Sequence, residues 1–106
     1  MNMSRSEDAI SALLPVKNGQ RYLEELLPNI LAMLTSQDEL IVVNDGSTDQ
    51  TQNIIEKYCA QDPRIALVNT SGVGLVSALN LGIQIAKNSW VARFDVDDQY
   101  LDNRIA

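Results

Sequence analysis

The sequence contains no histidine and only one cysteine, Cys59. Without histidine there is no imidazole acid–base catalysis and no histidine metal site. A single cysteine excludes an internal disulfide and suits a reducing compartment. Any metal must therefore be held by oxygen ligands. Basic residues are also scarce: eight Lys and Arg stand against fourteen Asp and Glu, a net charge of −6. A protein that neutralises nucleic-acid phosphates needs a basic face, so nucleic acid is not an expected partner. No apolar run reaches the roughly 18 residues of a membrane-spanning helix. Residues 1–8 (MNMSRSED) are too polar for a signal peptide. These absences point to a soluble cytoplasmic protein, peripheral at most at the inner face of a membrane. What is present is ordinary: 45% hydrophobic and 21% charged residues in 106 positions, enough for one modest core.

No linker, repeat or low-complexity segment divides the chain, and 1–8 reads as a flexible N-terminus. Residues 10–14 (ISALL) form a short buried strand stopped by Pro15. A helix is expected from about Gly19 to Leu34, with Leu23, Leu27, Ile30, Leu31 and Leu34 on one stripe and a kink or break at Pro28. Residues 39–43 (ELIVV) are a second strand, ended by Asn44-Asp45-Gly46. Ser47, Thr48 and Asp49 open a helix whose inner face is Ile54, Ile55, Tyr58 and Cys59. Ile65 to Val68 is a third strand. Ser71-Gly72-Val73-Gly74 leads into a third helix, about 75–87, facing inward through Leu75, Leu79, Ile83 and Ala86. Residues 90–94 are a fourth strand. The order βαβαβαβ implies an α/β, Rossmann-like parallel sheet with helices on both faces and right-handed crossovers. Ligands of such sheets bind at the carboxyl ends of the strands. Lys17-Asn18, Asn44-Asp45, Asn69-Thr70 and Asp95 to Asp98 all fall at those ends.

Two of these clusters can carry chemistry. Asp95, Asp97 and Asp98 put three carboxylates within four residues, and their mutual repulsion is relieved by a cation. Mg²⁺ commonly uses one or two carboxylates together with substrate phosphates. An Asp-x-Asp pair can hold metal with one carboxylate and a sugar hydroxyl with the other. The plainer reading is a solvated acidic turn or helix cap. In the second cluster a strand-to-helix turn accounts for Gly46, Ser47 and Thr48. It does not account for Asp45, whose carboxylate at a strand tip can accept from a nucleobase N–H. Gly72 and Gly74 match neither the phosphate-loop nor the dinucleotide spacing and read as a turn. Lys17-Asn18-Gly19 likewise reads mainly as a turn, and Cys59 as a small buried apolar residue.

Four blocks, in order and spacing, resemble the nucleotide-binding half of the family-2 inverting glycosyltransferases of GT-A fold. They are Leu14 to Gly19, Val42 to Asp49, Gly74 to Gly82 and Ala92 to Asp98. The resemblance implies that Pro15 and Val16 line the base pocket through backbone and edge contacts, with Asn18 beside them, and that Asp45 accepts from the base. It implies that Asp95 contacts ribose or diphosphate. Asp97, replaced or assisted by Asp98, would hold Mg²⁺ or Mn²⁺ at the diphosphate of a nucleoside-diphosphate sugar, most commonly a UDP-sugar. The implied reaction is transfer of the sugar to a hydroxyl acceptor with inversion, in polysaccharide or glycoconjugate synthesis. The family's general base lies in the second half of its domain, so the catalytic base is expected beyond Ala106. Residues 9–106 are therefore expected to be a nucleotide-sugar-binding half, inactive alone and prone to self-association through uncovered apolar surface. Lys17 stands where the family often has an aromatic residue, and Leu79 where it often has Arg.

Two other readings share parts of the pattern. A phosphotransferase of the haloacid dehalogenase type also sets Asp-x-Asp after an apolar strand with Mg²⁺, but on its first strand. A receiver-like binding module also gathers carboxylates at strand ends, again beginning at the first strand.

Overall fold

The computed structural model describes residues 9–94. Four strands, β1 (Ile10–Val16), β2 (Glu39–Asp45), β3 (Ile65–Thr70) and β4 (Trp90–Arg93), alternate with helices α1 (Gln20–Met33), α2 (Thr51–Gln61) and α3 (Leu75–Ile85). The strands form one parallel sheet in the order β3-β2-β1-β4. The α/β architecture expected from the sequence is therefore present, with helices on both faces. Ala12, Leu14, Val16, Leu40 and Val42 point to one side and pack against Leu23, Leu27, Ile30 and Ile55 of α1 and α2. Leu13, Ile41 and Val43 point to the other side, against Ala78 of α3. This is the period-two alternation of a doubly covered strand, and it explains why β1 and β2 read as unbroken apolar runs.

The carboxyl ends of β1, β2 and β3 lie further along the chain than expected, whereas β4 stops at Arg93 rather than Phe94. β1 does not end before Pro15 but continues to Val16, with Pro15 opposite Val43 of β2. The Leu13 carbonyl accepts from the Phe94 N–H, so the backbone groups of Leu13 face β4. Those of Pro15, two residues on, face the same way, past the last paired residue of β4. The missing proline N–H therefore takes nothing from the β1–β2 ladder. β2 likewise runs through Asn44 and Asp45, and β3 through Asn69 and Thr70. The polar strand ends belong to the sheet rather than to the loops.

α1 is continuous through Pro28, where a kink or break was expected. Pro28 lies on the exposed side of the helix. Its ring removes the bond to the carbonyl of Glu24, and that carbonyl accepts instead from the Tyr58 hydroxyl of α2 at 3.4 Å. α3 ends at Ile85, and its inner face differs from expectation. Ala78 and Gly82 are buried, with Leu79 and Ala86 packed beside them, whereas Ile83 is 53% exposed. Small residues four apart let the helix approach closely: a Cβ on Gly82 would stand 2.1 Å from a Leu13 methyl. An apolar periodicity count favours Ile83, but the steric match to β1 favours Gly82.

At the amino ends of the strands, two buried carboxylates tie the fold together. Asp38 accepts from the Ile10 and Thr35 N–H groups at 2.8 and 2.7 Å. Glu39 accepts from the Ser11 hydroxyl and the Lys87 N–H, both at 2.6 Å. Asn88 completes the seam by donating to Ser11 Oγ and to the Ile10 carbonyl. No helix among the described residues is long and apolar enough to cross a membrane.

Candidate functional site

The strand order reverses at β1: β2 and β3 lie on one side of it and β4 on the other. In open parallel sheets the loops at such a switch point diverge and leave a crevice at the carboxyl ends. Pro15 and Val16 end β1 at this place, and in register across the sheet they face Val43 and Asn44 of β2, with Asp45 next. Four of the seven candidate site residues, Pro15, Val16, Asn18 and Asp45, therefore come together. Asp95, Asp97 and Asp98 lie outside the described residues, as does the expected metal site. Ala106 lies outside them too, and with it the catalytic base expected beyond that residue. Among the described residues there is no group of three or more metal-ligating Cys, Asp or Glu side chains.

The loops after β1 and β2 are stitched to each other. Asn18 adopts a left-handed conformation (φ 54°), which asparagine tolerates better than most residues. Its N–H donates to Ser47 Oγ at 2.8 Å, and its side-chain oxygen accepts from the Thr48 N–H at 2.7 Å. The Gly19 N–H donates to Thr51 Oγ1 and the Gln20 N–H to Asp49 Oδ2. The Gln50 N–H returns a bond to Gln20 Oε1. Burial pushes the Asp49 carboxyl up, but donors from Thr51 and Gln20 outweigh it and hold the group below the usual aspartate range. Ser47 Oγ also donates to Asn44 Oδ1, and Asn44 Nδ2 donates to Asn69 Oδ1, which carries the network on to β3. Asn18 thus positions two loops. Val16 is fully buried in the core beneath α1 and α2, so its backbone is what it can offer a ligand.

Asp45 is fully buried. Its Oδ1 accepts from Thr70 Oγ1 at 2.5 Å, the Gly72 N–H at 2.9 Å and the Val73 N–H at 2.7 Å. Its Oδ2 accepts from the Gly74 N–H at 2.9 Å. The carboxylate is therefore surrounded by the segment entering α3, whose successive N–H groups form an anion-binding concavity. Gly46 (φ 74°) lies directly under that segment: a Cβ there would come within 2.9 Å of the Gly72 nitrogen. Thr70, Ser47, Asp49 and Thr51 are the residues that sequence reasoning missed as partners. Ser47 and Asp49 read as helix-start residues, Thr70 as a strand end and Thr51 as nothing in particular, and only the folded register shows which loop each one addresses. α2 itself begins after Gln50 with no side-chain cap.

A second cleft, of about 430 Å³, lies at the opposite ends of the strands, beside Asp38, Glu39, Arg64 and Lys87. Its buried carboxylates are engaged in the seam described above. It is distant from the switch point, and its polar groups serve the fold.

Comparison with known proteins agrees with this geometry. Residues 11–106 match the family described as Glycosyl transferase family 2. The uncharacterised glycosyltransferase EpsJ of Bacillus subtilis is 35% identical over 89 residues, covering 84% of this chain and 26% of its own length. The S. aureus TarS fragment 1–349, solved in complex with UDP-GlcNAc, is 32% identical with a TM-score of 0.72. That match covers 82% of this chain and 26% of the TarS fragment. The mannosyltransferase PcManGT from Pyrobaculum calidifontis, solved in complex with GDP-Man and Mn2+, is 27% identical with a TM-score of 0.75. It covers 83% of this chain and 27% of that one. The chain thus spans about a quarter of the length of these relatives. With the fold and the sequence match in agreement, the chain belongs to glycosyl transferase family 2.

Proposed function

We infer that this chain supplies the nucleotide-sugar-binding part of a glycosyltransferase. A nucleoside-diphosphate sugar, a UDP-sugar first, is bound in the crevice between the carboxyl ends of β1, β2 and β4. The observation that supports this most is the reversal of strand order at β1, beside whose carboxyl end the buried Pro15, Val16 and Asp45 lie in neighbouring register. The base lies against the β1 end, where Pro15 and Val16 offer backbone edges, and addresses Asp45. Asn18, held by Ser47 and Thr48, fixes the wall of the pocket. Asp95 contacts ribose or diphosphate. Asp97, with Asp98, holds Mg²⁺ or Mn²⁺, which when bound would stabilise the charge of the departing diphosphate without proton transfer.

The whole protein then transfers the sugar to a hydroxyl with inversion, in polysaccharide or glycoconjugate synthesis, and the base that deprotonates the acceptor lies beyond Ala106. The phosphotransferase and receiver readings both need an acidic pair at the end of the first strand, and β1 ends in Pro15-Val16 followed by Lys17. The test is the thermal midpoint and calorimetric binding of UDP and GDP, each with and without Mn²⁺. A shift that needs nucleotide and metal together is expected. Absence of any nucleotide binding in this chain and in a longer form carrying the remainder of the domain overturns the reading.

A further inference from the structure

The geometry points to the 71–74 loop as a strap that competes with the nucleobase for Asp45, so that nucleotide binding and strap release form one equilibrium. This rests on the nucleotide reading of the site and adds its regulation. An ionised carboxylate offers about four acceptor positions. In Asp45 the Thr70 hydroxyl and the N–H groups of Gly72 and Val73 crowd Oδ1, and the Gly74 N–H takes one position on Oδ2, so donors from one segment cover both oxygens. The residue has no exposed surface, so an incoming base N–H cannot reach either oxygen while the strap is closed.

The strap is built to let go. Ser71, Gly72, Val73 and Gly74 are all exposed, so their N–H groups find water as soon as they leave Asp45. Gly72 (φ 87°) and Gly74 (φ 98°) have no atom within 4 Å of where a side chain would begin. The strap is held by Asp45, lies over Gly46 and is joined to α3 by the Gly74 carbonyl, which accepts from the Ala78 N–H at 3.0 Å, and a glycine stands on each side of Val73 to absorb a change of backbone conformation. A ligand donor that takes one position on Asp45 displaces a strap donor and frees the rest of the loop. The closed strap keeps the carboxylate satisfied when no nucleotide is present, and it lowers apparent affinity by the fraction of molecules in which it is closed.

The experiment is amide hydrogen exchange by NMR on the full chain, free and with UDP or GDP plus MgCl₂, with affinity measured by calorimetry. Saturating nucleotide is expected to speed exchange at Gly72, Val73 and Gly74 at least tenfold and to leave α1 unchanged. Gly72→Ala disfavours the closed strap, because alanine is strained at that φ and there is no neighbour for it to clash with. It is expected to speed the same amides in the free protein and to tighten nucleotide binding severalfold. Nucleotide binding with unaltered exchange at 72–74, or equal or weaker binding by Gly72→Ala, overturns the strap and leaves the nucleotide site standing. If neither UDP nor GDP binds to either protein or to a longer form carrying the remainder of the domain, the nucleotide reading falls and the strap falls with it.

Discussion

The single proton of the Tyr58 hydroxyl is shared between a carboxylate oxygen of Glu24 at 3.1 Å and, more weakly, the carbonyl of the same residue at 3.4 Å. That carbonyl is the one Pro28 cannot serve, so a side chain of α2 takes over a bond that α1 has lost. Lys57 adds an ion pair to Glu24 at 3.0 Å, exposed on both sides and of little energetic weight by itself. Helix continuity through a proline is here a tertiary effect. Restoring the amide with Pro28→Ala should raise stability by about 1–2 kcal/mol in urea titration. Tyr58→Phe should cost about 0.5–1 kcal/mol alone and less in the Pro28→Ala background. Equal costs in the two backgrounds would show that the Tyr58–Glu24 bond is not compensating for Pro28.

In the ligand-free chain Asp45 holds the loop that enters α3. Asp45→Ala leaves the Thr70 hydroxyl and three loop N–H groups without their acceptor, and water can satisfy only those that swing outward. A loss of about 1–3 kcal/mol is expected, read from the urea midpoint, together with loss of UDP binding by calorimetry. Asp45→Ala with unchanged stability would mean that the loop holds its place without the carboxylate.

The acid limb of stability has a named contributor. The Arg64 guanidinium donates to Asp62 at 2.7 Å and, with the Arg64 N–H, holds the Asp62 carboxyl below its usual value of 3.8. A carboxylate that is more acidic in the folded state stabilises the fold above its unfolded value. That contribution is lost as pH falls from about 4 through the folded value. Asp62→Asn should lower stability at pH 7 and flatten the dependence between about pH 4 and pH 2, measured by denaturation at each pH. Parallel curves for the two proteins would remove Asp62 from the acid response.

α3 can be tested for its close approach to β1. Gly82→Val adds bulk that meets the buried Leu13 side chain, and overpacking of this kind costs about 1–3 kcal/mol. Ile83→Val, which removes one methylene from a half-exposed side chain one position along, should cost less than about 0.5 kcal/mol. Reversed sensitivities would mean that α3 is rotated from the orientation described.

Element order and the parallel sheet were legible in apolar runs such as Leu40 to Val43, because burial on both faces leaves no polar alternation to confuse the reading. The four sequence blocks also carried the family. Strand ends were less legible, because Asn44, Asp45 and Thr70 are polar yet pair in the sheet and satisfy one another across strands. The inner face of α3 was misread for a steric reason, since Gly82 contributes by what it lacks. Partners across loops, such as Asn18 with Thr48 or Asp45 with Gly74, lie about thirty residues apart in sequence. No local pattern encodes which cap addresses which loop.

The placement of β4 beside β1 has a consequence for the order of folding. β1, β2 and β3 join through successive crossovers, whereas the bonds of Asn88 to Ser11 and Ile10 bridge 77 and 78 positions of chain. Such distant pairings close late, after most of the loop entropy has been spent elsewhere. On the proposed reading the crevice needs the end of β4 as well as those of β1 and β2. A chain that has made only the first three strands would then hold a core without a complete site, and nucleotide capture would wait for the pairing that completes the sheet.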